Sequence, residues 1–292
     1  MKILVDWVLS QRYWLVLLAI LFAPIFPVVT AALMVLNTLH RGAAQGFATA
    51  ALGSAALALL AVATAGGWLY GAVAGTVAML SGAALGALLN WARTLTLGFQ
   101  CTVLGCLIAA AAVSLFGPAP AVLVEPVVSR VIELLQAGDA TPEQLEAVRT
   151  LDTMLLGMMF GALFAMLVAV MLLGYWWFAL ARAEVGFGTE FRALKLGRML
   201  GIVAMVLVTV GLVVQVPVVQ NLSPIALFAF LFQGLAVMHA WAYAKQWQPA
   251  FVWPVYLILI LPWTSLMALL GLAAVGLLDN IFDWRSRLRT PG

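Results

Sequence analysis

Residues 176–198 read WWFALARAEVGFGTEFRALKLGR and hold Arg182, Glu184, Glu190, Arg192, Lys195 and Arg198, in a chain with only 14 Lys and Arg and 11 Asp and Glu in its 292 residues. Elsewhere, Arg93 sits between two apolar runs with Asn90 and Gln100 nearby, and Gln215, Gln233 and His239 lie inside apolar runs. Charged and amide groups in such surroundings serve either recognition or helix packing. A cation deep in hydrocarbon costs about 2.5–3.5 kcal/mol on insertion scales, so it either has a partner or lines a cavity. Arg93, Glu190, Arg192, Gln233 and His239 are therefore the candidate solute-binding set, with Glu190 the best placed for an ionised contact. Each has a plainer reading: Arg93 as a loop cation reaching headgroups, Glu190 in a local charge network with Arg192 and Lys195, and Gln233 and His239 in interhelical hydrogen bonds. His40–Arg41 before Gly42 could hold an anionic ligand or a lipid phosphate, or could simply be topogenic charge beside a helix end.

Catalysis is not indicated. There is no nucleophile–base constellation, and Gly186 and Gly188 lack Walker or dinucleotide spacing. With two histidines and no ligand cluster, no metal is expected, nor any cofactor. Cys101 and Cys106 fit neither a disulfide framework nor a metal motif. No basic stripe interleaved with aromatics points to nucleic acid.

The elements that position these residues follow from composition. The chain is 65% hydrophobic and 9% charged, where soluble domains are about half apolar and a quarter charged. Its mean hydropathy is +1.13. Apolar segments run over about 13–36, 47–65, 68–89, 97–116, 153–180, 199–219, 223–243 and 251–278, most near the ~20 residues that cross a bilayer. Only helices can span at this segment length. The expected fold is an all-α polytopic bundle of about eight membrane segments, residues 1–292 forming one integral membrane domain whose main partner is the lipid bilayer. The first segment is too long for a cleaved signal core and is read as retained.

Two connections stand out, 117–152 and 181–198. The first is acidic, with Arg130 and Arg149 against six carboxylates, and carries apolar residues at 124, 127, 128, 131 and 135, the spacing of an interfacial amphipathic helix. Within it, Thr141, Pro142 and Gln144 form a capping box that predicts a second helix start, running on into the fifth segment. Glycines at four-residue spacing (Gly67, Gly71, Gly75; Gly82, Gly86; Gly157, Gly161) predict close helix packing, above all of the third segment. In the tail, Asp283 and Arg287 are expected to pair one turn apart, with Phe282 and Trp284 as an interfacial anchor.

Eight simple crossings would divide the 14 basic residues evenly between the two sides, which gives no orientation. Two segments carry internal prolines, Pro24 and Pro27 in the first and Pro254 and Pro262 in the last, and proline breaks or kinks a helix. If both segments turn back, only Arg130 and Arg149 are left on the outer side, and 181–198 is the basic cytoplasmic loop. Two kinked but ordinary crossings are the alternative.

The central stretch resembles the YybS-like family of uncharacterised bacterial multi-pass inner-membrane proteins, whose members carry a pattern like W-W-Q-A-L-L-Y-N-P-G-G-F-x-x-E-F-H-A-L-R-L. Trp176, Trp177, Gly186, Phe187, Glu190 and Phe191 match it without a gap. LNTLHRGAAQG, with His40, Arg41 and Gly42, and LLDNIFDWRSRLR, with Asp279, Asp283 and Arg285, are similar to further family motifs, and His239 falls where the family has a histidine. The pattern's polar turn is largely replaced, by Phe178, Arg182, Ala183, Glu184, Val185 and Arg192. The resemblance implies a place in the bacterial inner (cytoplasmic) membrane and a distant kinship to the substrate-capturing S components of vitamin transporters. It thus implies a solute-binding or transport protein, with a membrane protein or energy-coupling module as partner. The expected site is a polar cavity bounded by the first and last segments and the Arg182–Arg198 stretch. A scaffold recruiting partners through 181–198 is the competing reading, and a lipid-modifying enzyme a third, with least support.

Overall fold

The computed structural model describes residues 1–292 except 1, 11, 65, 139, 150–151, 183–185, 215, 249, 251 and 288–292. The described residues form helices and no strand. They are α1 (Lys2–Ser10), α2 (Arg12–Phe22), α3 (Pro27–Arg41), α4 (Ala43–Ala63), α5 (Leu69–Ala92), α6 (Leu95–Phe116), α7 (Pro120–Ala137) and α8 (Pro142–Arg149). There follow α9 (Asp152–Ala181), α10 (Phe187–Arg192), α11 (Arg198–Val213), α12 (Pro217–Ala244), α13 (Trp253–Ile260), α14 (Pro262–Phe282) and α15 (Trp284–Arg287). Among the described residues six helices are long and apolar enough to cross a membrane: α4, α5, α6, α9 from Met154, α12, and α14 from Thr264. The chain is an all-α, multi-pass membrane protein. It forms two compact units, Met1–Cys101 with Met166–Ala193, and Thr102–Ala165 with Leu194–Gly292.

In the first unit, the first expected segment breaks at its prolines. α2 stops at Phe22, and α3 restarts with Pro27 at its first position, where a missing N–H leaves nothing unpaired. The chain then doubles back. Thr30 Oγ1 donates to the Ala19 carbonyl (3.0 Å), and Arg41 Nη2 donates to the Leu9 carbonyl (3.0 Å). In a straight helix Ala19 and Thr30 would stand roughly 16 Å apart. α3 is the hub of this unit, buried continuously from Thr30 to Thr38. A methyl at Gly82 would strike the Ala31 carbonyl, and one at Gly86 the Thr38 side chain. The two numberings rise together, so α3 and α5 run parallel, at a separation only glycine permits. α4 runs antiparallel to both, with Gly46 against Thr38 and Gly53 against Met79. Gly174 of α9 packs on Val35 of α3.

The second unit repeats the device. A methyl at Gly234 would meet the Leu272 carbonyl, and one at Gly276 the Phe230 carbonyl. Phe230 against Gly276, Gln233 bonded to Asp279 and Trp241 against Trp284 rise together in number, which makes α12 and α14 parallel, so the chain reverses between them by way of α13. The second break falls at Leu261–Pro262, where Leu261 is extended (ψ 123). Thr264 Oγ1 clasps the Ile258 carbonyl across it (3.0 Å). α11 is antiparallel to α12, with Gly211 against Ser223 and Ser223 Oγ donating to the Leu207 carbonyl.

One expected apolar face is refined, and one expected helical pairing falls on a break. The α7 face is divided: Val124 and Val128 are buried against Leu156, while Val127 and Val131 stay exposed. α7 packs on α8 and the start of α9 as well as leaving an apolar strip outward. The tail does not carry Asp283 and Arg287 on one continuous helix, because Asp283 adopts a left-handed φ of 44° and separates α14 from α15. The expected start at Pro142 is found; the Gln144 side chain of the capping box, and the join of α8 to α9 at 150–151, lie outside the described residues.

Candidate functional site

The polar residues named from sequence fall into two settings, one in each unit. In the second, Gln233 and Asp279 are 0% and 2% exposed. The Gln233 amide oxygen accepts the Leu196 N–H (3.0 Å), and its Nε2 donates to Asp279 Oδ2 (3.0 Å). Arg285 forks onto the same carboxylate, Nη2 to Oδ2 at 2.7 Å and Nε to Oδ2 at 3.1 Å, while its Nη1 donates to the Leu194 carbonyl (2.9 Å). The turn at Asp283 is what brings Arg285 back onto Asp279, six residues earlier. Such a pair survives burial because its remaining donors and acceptors are met. The centre ties α12, α14, α15 and the 194–197 strand of chain together and leaves little to offer a ligand. His239 Nε2 meets Tyr256 Oη at 2.7 Å, an interhelical bond between α12 and α13. Trp284 stacks on Phe282 and tilts against Trp241.

In the first unit, one end collects the last turns of α3, α5 and α9 with α10. Gly42 (φ 90) lets the chain turn from α3 into α4. Arg93 caps α5 with a left-handed φ of 61, its N–H donating to the Leu89 carbonyl, and its side chain is exposed. Asn90 Nδ2 donates to the Thr38 carbonyl (2.8 Å). Gly186 precedes the single-turn α10, where Phe187 stacks on Phe191 (5.8 Å) and lies 6.3 Å from Tyr175. Glu190 Oε2 accepts the Leu95 N–H (3.0 Å) at the start of α6, an anion at a helix N-terminus. Arg192 reaches Thr189 Oγ1 (3.4 Å). Trp176 is half-buried.

Beside these lies a feature that sequence reading caught only in part, at His40 and Arg41. Among the described residues, Asn37 Nδ2, His40 Nδ1, Arg41 Nε and Trp177 Nε1 are buried without a hydrogen-bond partner. Asn37 precedes His40 by three and Arg41 by four, so the three share one face of α3. Trp177 and Phe178 pack on the cluster that contains Leu33 and Leu36 of the same helix. Arg182 is exposed, with its guanidinium 5.5 Å from the centre of the Phe178 ring. Burial, reinforced by the charges of Arg182 and Arg41, holds the His40 imidazole below its usual pKa. The available signal was Asn37 itself, an amide in an apolar run one turn before His40.

A further groove of about 580 Å³ lies between α4 and α5, lined by residues such as Ala58, Leu69, Val73 and Val77. Its lining suits an acyl chain. Among the described residues no group of three His, Cys, Asp or Glu could hold a metal. Gln215 lies outside the described residues, as do Ala183, Glu184 and Val185 of the central stretch.

These features define a polytopic membrane protein with one closed polar centre and one corner whose buried donors lack a partner among the described residues. No protein-family model, curated protein or solved structure matches the chain.

Proposed function

We propose that this protein binds a small polar solute within the bacterial cytoplasmic membrane, as an S-component-like member of the YybS-like family working with a membrane partner or energy-coupling module. The observation that carries this reading is the set of buried, unpartnered donors at the end of α3. Buried polar groups are nearly always hydrogen-bonded, and an exception calls for an absent partner. The proline-broken segments point the same way, because helices interrupted in both halves of a chain accompany binding sites in transporters. In this reading the basic ends of the helices face the cytoplasm. The test is purification in a mild detergent, with mass spectrometry of everything retained. A small polar molecule at near-stoichiometric amount is the expected result. A preparation free of small molecules but carrying a second protein would favour the scaffold reading, to which the exposed Arg182, Lys195 and Arg198 lend support.

A further inference from the structure

We propose that Asn37, His40, Arg41, Trp177 and Arg182 form a binding site for a small oxyanion, a phosphate or carboxylate group. The inference rests on the solute-binding reading and supplies its ligand chemistry. Six buried side-chain atoms lack a partner among the described residues, and four of them belong to this one corner. The other two are Ser54 Oγ of α4 and Asn221 Oδ1 of α12.

The unsatisfied groups agree in kind. The Asn37 amide nitrogen, the Arg41 Nε and the Trp177 indole nitrogen can only donate, and neutral His40 donates from Nδ1 when its proton sits there. A partner must therefore bring several acceptor lone pairs. Arg41 contributes a fixed charge and Arg182 a second, so the partner should be negative. A phosphate or carboxylate meets both demands; a cation is repelled, and a hydroxyl-rich neutral group brings donors with nothing to receive them.

The geometry grades from closed to open. Asn37 is 1% exposed and forms the floor. His40 and Arg41 are half-buried above it, and Arg182 is exposed at the rim. Arg41 cannot swing away freely, because its Nη2 is bonded to the Leu9 carbonyl on the opposite arm of the fold-back. Asn90, another amide at this end, is bonded to the Thr38 carbonyl, and the Glu190 carboxylate holds the Leu95 N–H. The sources of such a group are a free solute and a lipid headgroup.

The test uses the full chain in a neutral detergent. Thermal unfolding is followed in inorganic phosphate, in succinate and in chloride at matched ionic strength, and then in nanodiscs of phosphatidylcholine with or without phosphatidic acid. Wild type should be stabilised saturably by phosphate or succinate, or by phosphatidic acid. Stabilisation by the free anions identifies a solute site; stabilisation confined to phosphatidic acid identifies a headgroup site. Asn37→Leu should unfold at a higher temperature than wild type in chloride, since it removes an unpartnered donor, and should bind the anion about tenfold more weakly. Arg182→Gln, an exposed change that spares the core, should keep the unfolding temperature in chloride and weaken binding several-fold. No saturable response to any probe overturns the proposal, as does a response equal in wild type and both variants. A density map with water alone on the four atoms, in a protein that ignores phosphate, overturns it too. If a solute retained through purification is held equally by both variants, this site is wrong while the solute-binding reading stands. If wild type binds phosphate here but retains no solute, that reading fails and the site remains.

Discussion

At Gln233, Asp279 and Arg285 the donors and acceptors close on one another, whereas at Asn37, His40, Arg41 and Trp177 four nitrogens are left without a partner. Both places lie on a helix in a parallel, glycine-packed pair, α12 with α14 and α3 with α5. The difference teaches that buried polarity in this chain has two uses. In one unit it fixes helix positions; in the other, under the proposed anion site, it is held open at a cost to stability. Deleting a side chain should therefore have opposite signs at the two places.

The largest effect is expected at the closed centre. Asp279→Ala takes the acceptor from Nε and Nη2 of the buried Arg285 and from the Gln233 amide and should cost about 3–5 kcal/mol. Reversible unfolding in mixed micelles would measure it. A variant as stable as wild type would mean that the centre is not holding α12 and α14, and the contrast with Asn37 would lose its footing.

A smaller loss is expected where the parallel pair touches backbone to backbone. Gly276→Val drives side-chain atoms into the Phe230 carbonyl and should cost about 1–3 kcal/mol through displaced helices. The same unfolding experiment reads it. Crosslinking of cysteines introduced at Leu231 and Leu272 should slow in the variant; an unchanged rate would show that the helices do not need glycine there.

The smallest change tests an ordinary interhelical bond. Tyr256→Phe removes the hydroxyl on His239 Nε2 and should lower stability by about 0.6–1 kcal/mol, with solute retention unaltered. Loss of retained solute in this variant would move the binding site from the end of α3 to α12 and α13.

Much of the fold could be read from the chain because its cause is compositional. Apolar runs of spanning length have only helices open to them, and Pro24, Pro27 and Pro262 remove backbone donors where the helices do break. All of the four-residue glycines but Gly67, which meets only the Thr64 carbonyl of its own turn, proved to be close contacts: Gly71 and Gly75 against Pro24 and Ala23, Gly82 and Gly86 against α3, and Gly157 and Gly161 against α12. Gly234 and Gly276 stayed hidden because they stand on different helices and make no local pattern. The Asp279–Arg285 pair was equally hidden. Six residues is the wrong interval for a continuous helix, and only the left-handed φ at Asp283 makes it short in space. Glu190 was singled out by charge, but its bond to the Leu95 N–H spans 95 positions and no spacing rule reaches that far.

The doubled-back arm of residues 12–41 bears on how the protein is made. α2, at 11 residues, extends roughly 16 Å, about half of a ~30 Å hydrocarbon layer. Its polar ties cross the fold-back: the Ala19 carbonyl accepts from Thr30, and the Leu9 carbonyl of α1 from Arg41. The first arm therefore completes its burial only when α3 lies against it, so the two halves of the fold-back are ordered together.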